Sequence, residues 1–147
     1  MKHQSPRDVF LKSLKLQFEN VAAQADLFAE NGVMEFPFTP KGNFRLEGRE
    51  KIRQFLTLSG FSSEGLRLDE HKNVVVRETQ DPEVIVVEYS AEVTNVPTGK
   101  KYSLPCIKII QVRDGQMMLY RDYANPILAA QATNTVTNLI QTLTDTK

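Results

Sequence analysis

The stretch QMMLYRDYANP, Gln116 to Pro126, places one carboxylate inside a run that otherwise reads as a buried strand. Asp122 stands among Tyr120, Arg121 and Tyr123, and Asn125-Pro126 closes the run. A buried ionisable acid costs folding free energy unless something pairs with it or function needs it. In a largely apolar cavity its pKa rises, which suits a carboxylate to general acid or base work. The competing structural readings are an ion pair with a neighbour and a place at a wet rim. Few other side chains carry comparable chemistry. His71, after LDE and beside Lys72, reads as a solvated surface histidine. Glu35, in MEFPF, would line a cavity mouth or, by default beside a loop, lie exposed. Cys106 has no evident base or helix N-terminus nearby and reads as a small core hydrophobe rather than a nucleophile. Arg121 is expected on the outer sheet surface, paired with Glu88, Glu92 or a second subunit.

The elements that must position these residues follow from periodicity and punctuation. Ser5, Pro6 and Asp8 form a helix start signal, and Phe10, Leu14, Phe18 and Val21 follow at helical spacing. A second short helix is expected over about residues 21–30, ending at Asn31-Gly32, before a brief VMEF strand. PFTPKGNFRLEG reads as a loop, and REKIRQFLTLSG as a third helix with Ile52, Phe55 and Leu56 on one side. Beyond Gly65 come four strand-like segments joined at Asp81-Pro82, Pro97-Thr98-Gly99 and Asp114-Gly115, an antiparallel meander. After Pro126 the spacing of Leu128, Ala132, Val136, Leu139 and Leu143 predicts a single last helix.

Strand parity then decides which residues meet inside. Ile85, Val87, Tyr89, Ala91 and Val93 share an apolar face that should look toward the helices. Met118, Tyr120 and Asp122 share a face of the last strand, opposite Met117, Leu119, Arg121 and Tyr123. Both faces are partly apolar, which predicts a cavity on one side and a homodimer contact on the other, including Leu119 and Tyr123. Phe55, Tyr89 and Tyr120 should wall that cavity.

With 147 residues, 18 basic and 18 acidic side chains and 41% hydrophobic content, the chain is expected to form one α+β domain over residues 1–147. Zero formal net charge argues against nucleic acid and acidic membrane partners. One cysteine and two histidines are too few for a structural zinc site, and no glycine-rich phosphate loop points to a nucleotide, so neither metal nor cofactor is expected. The MKHQSPRD start lacks the apolar run of a signal peptide and no segment has the length of a membrane span, which predicts a cytoplasmic protein.

ADLFAENGVMEFPFTPKGNFRLEGREKIRQFL followed by VRDGQMMLYRDYANP resembles the SnoaL-like branch of the nuclear-transport-factor-2-like superfamily, whose cone-shaped α+β fold is shared with ketosteroid isomerases. Asp81-Pro82, Val87-Glu88, the Asp-Gly turn and the Arg-acid-aromatic-x-Asn run also resemble phenazine-biosynthesis A/B-type proteins. The resemblance implies N-terminal helices packed on a curved antiparallel sheet, and an acid on the last strand, here Asp122, that exchanges a proton with bound substrate. It also shows departures. Phe55 stands where phenazine-type proteins carry a catalytic histidine, whereas Ser59 matches a family serine. The first helix offers Phe10 and Phe18 where ketosteroid isomerases need a tyrosine. The adjacent Arg121 and Asp122 do not reproduce the arginine–acid spacing of epoxide hydrolases on this fold.

The expectation is therefore a small-molecule-binding protein of SnoaL-like type: a cofactor-free isomerase or cyclase acting on an apolar cyclic or polyketide-like metabolite. Asp122 would be its acid/base, with Tyr89, Tyr120, Phe55, Ser59 and Met118 against the ligand. The alternative is a non-catalytic ligand-binding or protein-association module of the same fold.

Overall fold

The computed structural model describes residues 3–145. Helix α1 (Pro6–Glu19) begins as its sequence predicts: the Ser5 hydroxyl accepts from the Asp8 amide at 3.1 Å and the Asp8 carboxylate from the Ser5 amide at 3.4 Å. Val9, Phe10 and Leu14 bury its apolar face, while Phe18 is 51% exposed and lies edge-on to His71. The expected second helix is a short 3₁₀ segment, Val21–Leu27. Strand β1 (Phe28–Phe36) starts directly after it and runs through Asn31-Gly32. Gly32 thus marks an irregularity within a strand rather than a helix exit. A Cβ there would lie 2.8 Å from the Met117 carbonyl oxygen, so only glycine permits this approach of β1 to its neighbour.

Within the expected loop, Phe44–Glu47 forms strand β2, paired antiparallel with β1. Helix α2 (Arg49–Ser59) follows, and then β3 (Leu66–Glu78), β4 (Val84–Asn95), β5 (Lys100–Arg113) and β6 (Gln116–Asp122). The sheet order is β2-β1-β6-β5-β4-β3, with β1 parallel to β6 and every other pair antiparallel. The helices cover one face. Phe10, Ile52, Val87, Ile110 and Met117 are fully buried between the two layers, the α+β arrangement expected when a sheet must hide one apolar face.

The last helix divides in two. Helices α3 (Pro126–Thr133) and α4 (Val136–Thr144) meet at Asn134, whose φ of 59° is left-handed, a conformation asparagine tolerates better than most residues. Thr133 and Thr135 flank it with their hydroxyls 2.8 Å apart, and such short polar side chains favour helix ends over interiors. The apolar spacing therefore continues in sequence across a break in the backbone.

A second departure lies in β6. The Asp114-Gly115 turn pairs Arg113 with Gln116 and Val112 with Met117, but the register shifts there and Gln111 faces Leu119. Met118 is the extra residue of a β-bulge. Met117 is fully buried and Met118 only partly so, which corrects the simple parity that put Met118 on the inner face. Past the bulge Tyr120 is again buried. The bulge predicts unequal costs for two neighbouring methionines: Met117→Ala should lose about 2–5 kcal/mol in urea unfolding, and Met118→Ala less than about 1 kcal/mol. The reverse order would contradict the shifted register.

Candidate functional site

The bulge sets the chemistry of the interior. An unbroken register from the Asp-Gly turn would place Arg121 opposite Lys108, and the shift places Asp122 there instead, while Arg121 faces Ile109. Directly opposite residues of antiparallel strands share a face, so Lys108 and Asp122 both look inward, into a cavity of about 340 Å³. Phe55, Tyr89, Tyr120 and Cys106 line it as well, and Ser59 sits exposed at its rim. Phe55, on α2, packs 5.4 Å from Phe36 and 5.8 Å from Phe44, centroid to centroid, so an aromatic cluster forms one wall. Met118 is not part of the lining, for the reason given by the bulge.

Lys108 is 4% exposed. Its ammonium donates to the Tyr89 hydroxyl and lies 4.6 Å from the centroid of the Tyr89 ring and 5.3 Å from that of Tyr120, close enough for cation–π attraction. The Tyr89 ring is held in turn by Phe10 at 6.0 Å and by His71 edge-on at 5.3 Å. Among the described residues no carboxylate oxygen comes within 4.0 Å of the ammonium. Asp122 therefore stands beside Lys108 on the sheet wall of the cavity without forming a contact ion pair.

Burial pushes the Asp122 carboxyl above the ordinary carboxylate range, and the Lys108 charge only partly opposes it. Burial by itself disfavours the Lys108 ammonium, but Tyr120, Tyr89, Asp122 and Cys106 around it more than offset this and hold its pKa above the usual lysine value. Burial raises both phenols and the Cys106 thiol. Burial thus moves Asp122 toward its neutral form, while the surroundings of Lys108 favour its charged form. Cys106 donates its thiol proton to the Leu104 carbonyl at 3.3 Å and stays a protonated wall residue.

Three side chains sit differently from the sequence expectation. Glu35 is 4% exposed, not solvated. Its carboxylate accepts from Arg121 at 2.6 Å, Arg45 at 3.0 Å and Asn43 at 3.2 Å, and the Arg121 hydrogen bond in first place holds its pKa below the usual range. Arg121 does point away from the cavity, but its partner is Glu35, since Glu88 pairs with Arg77 and Glu92 with Lys72. His71 is half-buried rather than solvated. It lies behind Tyr89 with Nε2 2.8 Å from the Gln17 side-chain oxygen, and its pKa falls to about 4 through burial first and the Lys108 charge second.

Lys108 is the site residue that sequence reading missed. The available signal was a single lysine in the apolar run CIKIIQV, at the same parity as Ile110 and Val112. Also unforeseen is a second hollow of about 380 Å³ beneath α4, lined by Phe38, Pro40 and Leu139 and sharing Phe36, Asp122 and Ala129 with the first. Asp122 thus stands where the two meet. Among the described residues, no group of three or more His, Cys, Asp and Glu side chains is placed to hold a metal ion, and no helix is long and apolar enough to cross a membrane.

The family model of the SnoaL-like domain matches residues 16–120. An uncharacterized PhzA/B-like protein of Pseudomonas aeruginosa is 35% identical over 134 residues, covering 86% of this chain and 88% of that protein. A solved structure from Bacillus subtilis, provisionally named an isomerase, has a TM-score of 0.76 at 24% identity and covers 90% of this chain and 97% of its own. Another, from Pseudomonas putida and provisionally named a polyketide cyclase, has a TM-score of 0.71 at 14% identity, covering 88% and 98%. These likenesses establish the fold, the nuclear-transport-factor-2-like α+β arrangement that the sequence resemblance implied.

The His71 environment gives a pH dependence of known sign. Its pKa falls from 6.5 to about 4 on folding, so above 6.5 the folded and unfolded states are both neutral there. As pH falls below 6.5 the unfolded chain takes up a proton that the folded chain refuses, and stability is lost until about pH 4. Melting curves should show the wild type losing more stability than His71→Gln between neutral pH and pH 5. Equal losses would mean that His71 is solvated after all.

Proposed function

The chain belongs to the SnoaL-like domain family, and on that premise we propose that it is a cofactor-free isomerase or cyclase acting on a small apolar ring compound, with Asp122 as the proton carrier. The observation that carries this reading is the inward Asp122 carboxylate in an apolar cavity, raised in pKa by burial and without a contact cation among the described residues. Such a group is basic enough to take a proton from a carbon beside a carbonyl and acidic enough to return it elsewhere. Phe55, Tyr89 and Tyr120 would flank the ring, and Ser59 would meet its polar end at the rim. The family match ends at residue 120, so the role of Asp122 rests on the cavity geometry.

One observation favours a non-catalytic binding module. His71 packs behind the Tyr89 ring, and Phe55 lines the cavity from α2, so among the described residues neither a histidine nor a second carboxylate lines the cavity with Asp122. In that case Asp122 only anchors a ligand. Deuterium exchange at the α-carbons of bicyclic and tricyclic ketones such as 2-tetralone, followed by NMR, separates the readings. The proposal expects the wild type to accelerate exchange and Asp122→Asn to lose about 10²–10⁴-fold of it while melting no lower than wild type at neutral pH. Ketones that bind without accelerated exchange would leave the binding module.

We also propose that a second copy of the chain covers the outer sheet face, where Val75 and Ile107 are 38% and 41% exposed beside the partly buried Leu119 and Ile109. Tyr123 stands near this face against Phe38. Light scattering at micromolar concentration should give twice the chain mass, falling to one chain mass in Ile107→Lys. A monomeric wild type ends this proposal.

A further inference from the structure

Lys108 remains without a role in that scheme. A buried ammonium loses its hydration, so its N–H groups need acceptors and its charge needs a counter-charge. The structure gives it the neutral Tyr89 hydroxyl as acceptor, the neutral Tyr120 hydroxyl close by, and two aromatic faces. Among the described residues no carboxylate oxygen lies within 4.0 Å of it, although the residue is 4% exposed and lines the cavity. A methionine would fill the same wall at no electrostatic cost, so packing does not account for a lysine.

Resting on the proton-carrier reading of Asp122, we propose that the Lys108 ammonium is an oxyanion-binding site and that the ligand is an apolar ring compound bearing an enolisable ketone, its oxygen seated on Lys108. When Asp122 takes the proton, the C–H bond breaks and its electron pair forms a carbon–carbon double bond. The carbonyl π pair moves to oxygen, leaving an enolate beside the ammonium. Return of the proton from Asp122 to another carbon reverses the flow and releases the isomer. No oxidant, reductant or co-reactant is needed. In this step negative charge passes from Asp122 to the ligand oxygen, and the neighbouring Lys108 ammonium is the fixed cation before and after. An ammonium already in place and shielded from water stabilises that charge without reorganisation. Tyr89 holds the ammonium in position, and the other ionisable groups facing it, Tyr120 and Cys106, are neutral near pH 7.

4-Nitrophenol, whose phenolate absorbs separately from its phenol, reports on this site directly. Asp122→Asn reproduces the cavity charge after proton transfer, and this variant should bind the probe as phenolate, lowering its apparent pKa by about one unit, a tenfold preference for the anion. Adding Lys108→Met should abolish the shift. 4-Nitroanisole, the same ring without an ionisable oxygen, should bind Asp122→Asn about tenfold more weakly than the phenolate, a comparison that stands even if the double variant folds poorly. Neutral binding of nitrophenol, a shift that survives Lys108→Met, or equal affinity for nitroanisole would each overturn the oxyanion site. Absence of ketone exchange together with an intact phenolate shift would instead overturn the proton-carrier reading and leave the anion site standing.

Discussion

The irregular pairing of β5 with β6 is the constraint on which the interior depends. Strand side chains alternate strictly until a bulge adds a residue, and every position beyond it changes face relative to the unshifted register. Here the extra residue lets Met117 fill the core and still turns Tyr120 and Asp122 inward. Without it, Lys108 would face Arg121, two cations in one apolar space. The same segment crowds β1, where Gly32 admits the Met117 carbonyl. One local departure thus fixes core packing, the close approach of two strands and the charges of the cavity.

The sheet separates two uses of charge. On the outer side, Glu35 is locked between Arg121 and Arg45 with Asn43 as a further donor, an arrangement in which a nearly buried carboxylate has its hydrogen bonds made. On the inner side, Lys108 and Asp122 share a cavity but make no contact ion pair. The first arrangement meets the demands of burial within the protein. The second leaves both side chains turned into the cavity, where low local polarity strengthens every electrostatic interaction they make.

Aromatic rings make that separation mechanically stable. Phe10 and His71 fix Tyr89, Tyr89 holds the Lys108 ammonium, and Phe28 packs 6.0 Å from Tyr120 on the other side. Elsewhere in the lining, Phe36 and Phe55 pack on each other and on Phe44 outside it, which joins β1, β2 and α2. The cavity between these rings is mostly apolar, with Lys108 and Asp122 as its charged side chains.

By itself the sequence determined what depends on neighbours in the chain. The capping box of α1, the α+β class, the meander with its Asp-Gly turn and the inward face of β4 all follow from short-range stereochemistry and periodicity. The inward aim of Asp122 was legible only in part, since simple parity placed it correctly while misplacing Met118. Tertiary structure alone decided the rest. Gly32 became a point of strand contact because β6 lies against it, Glu35 was buried because two arginines from different strands converge on it, and the last helix broke where its two halves take separate courses. Lys108 acquired meaning only once pairing set it opposite Asp122. Pairing is non-local: a bulge changes which side chains meet without changing the hydrophobic pattern on either strand, so no reading of one segment at a time recovers it.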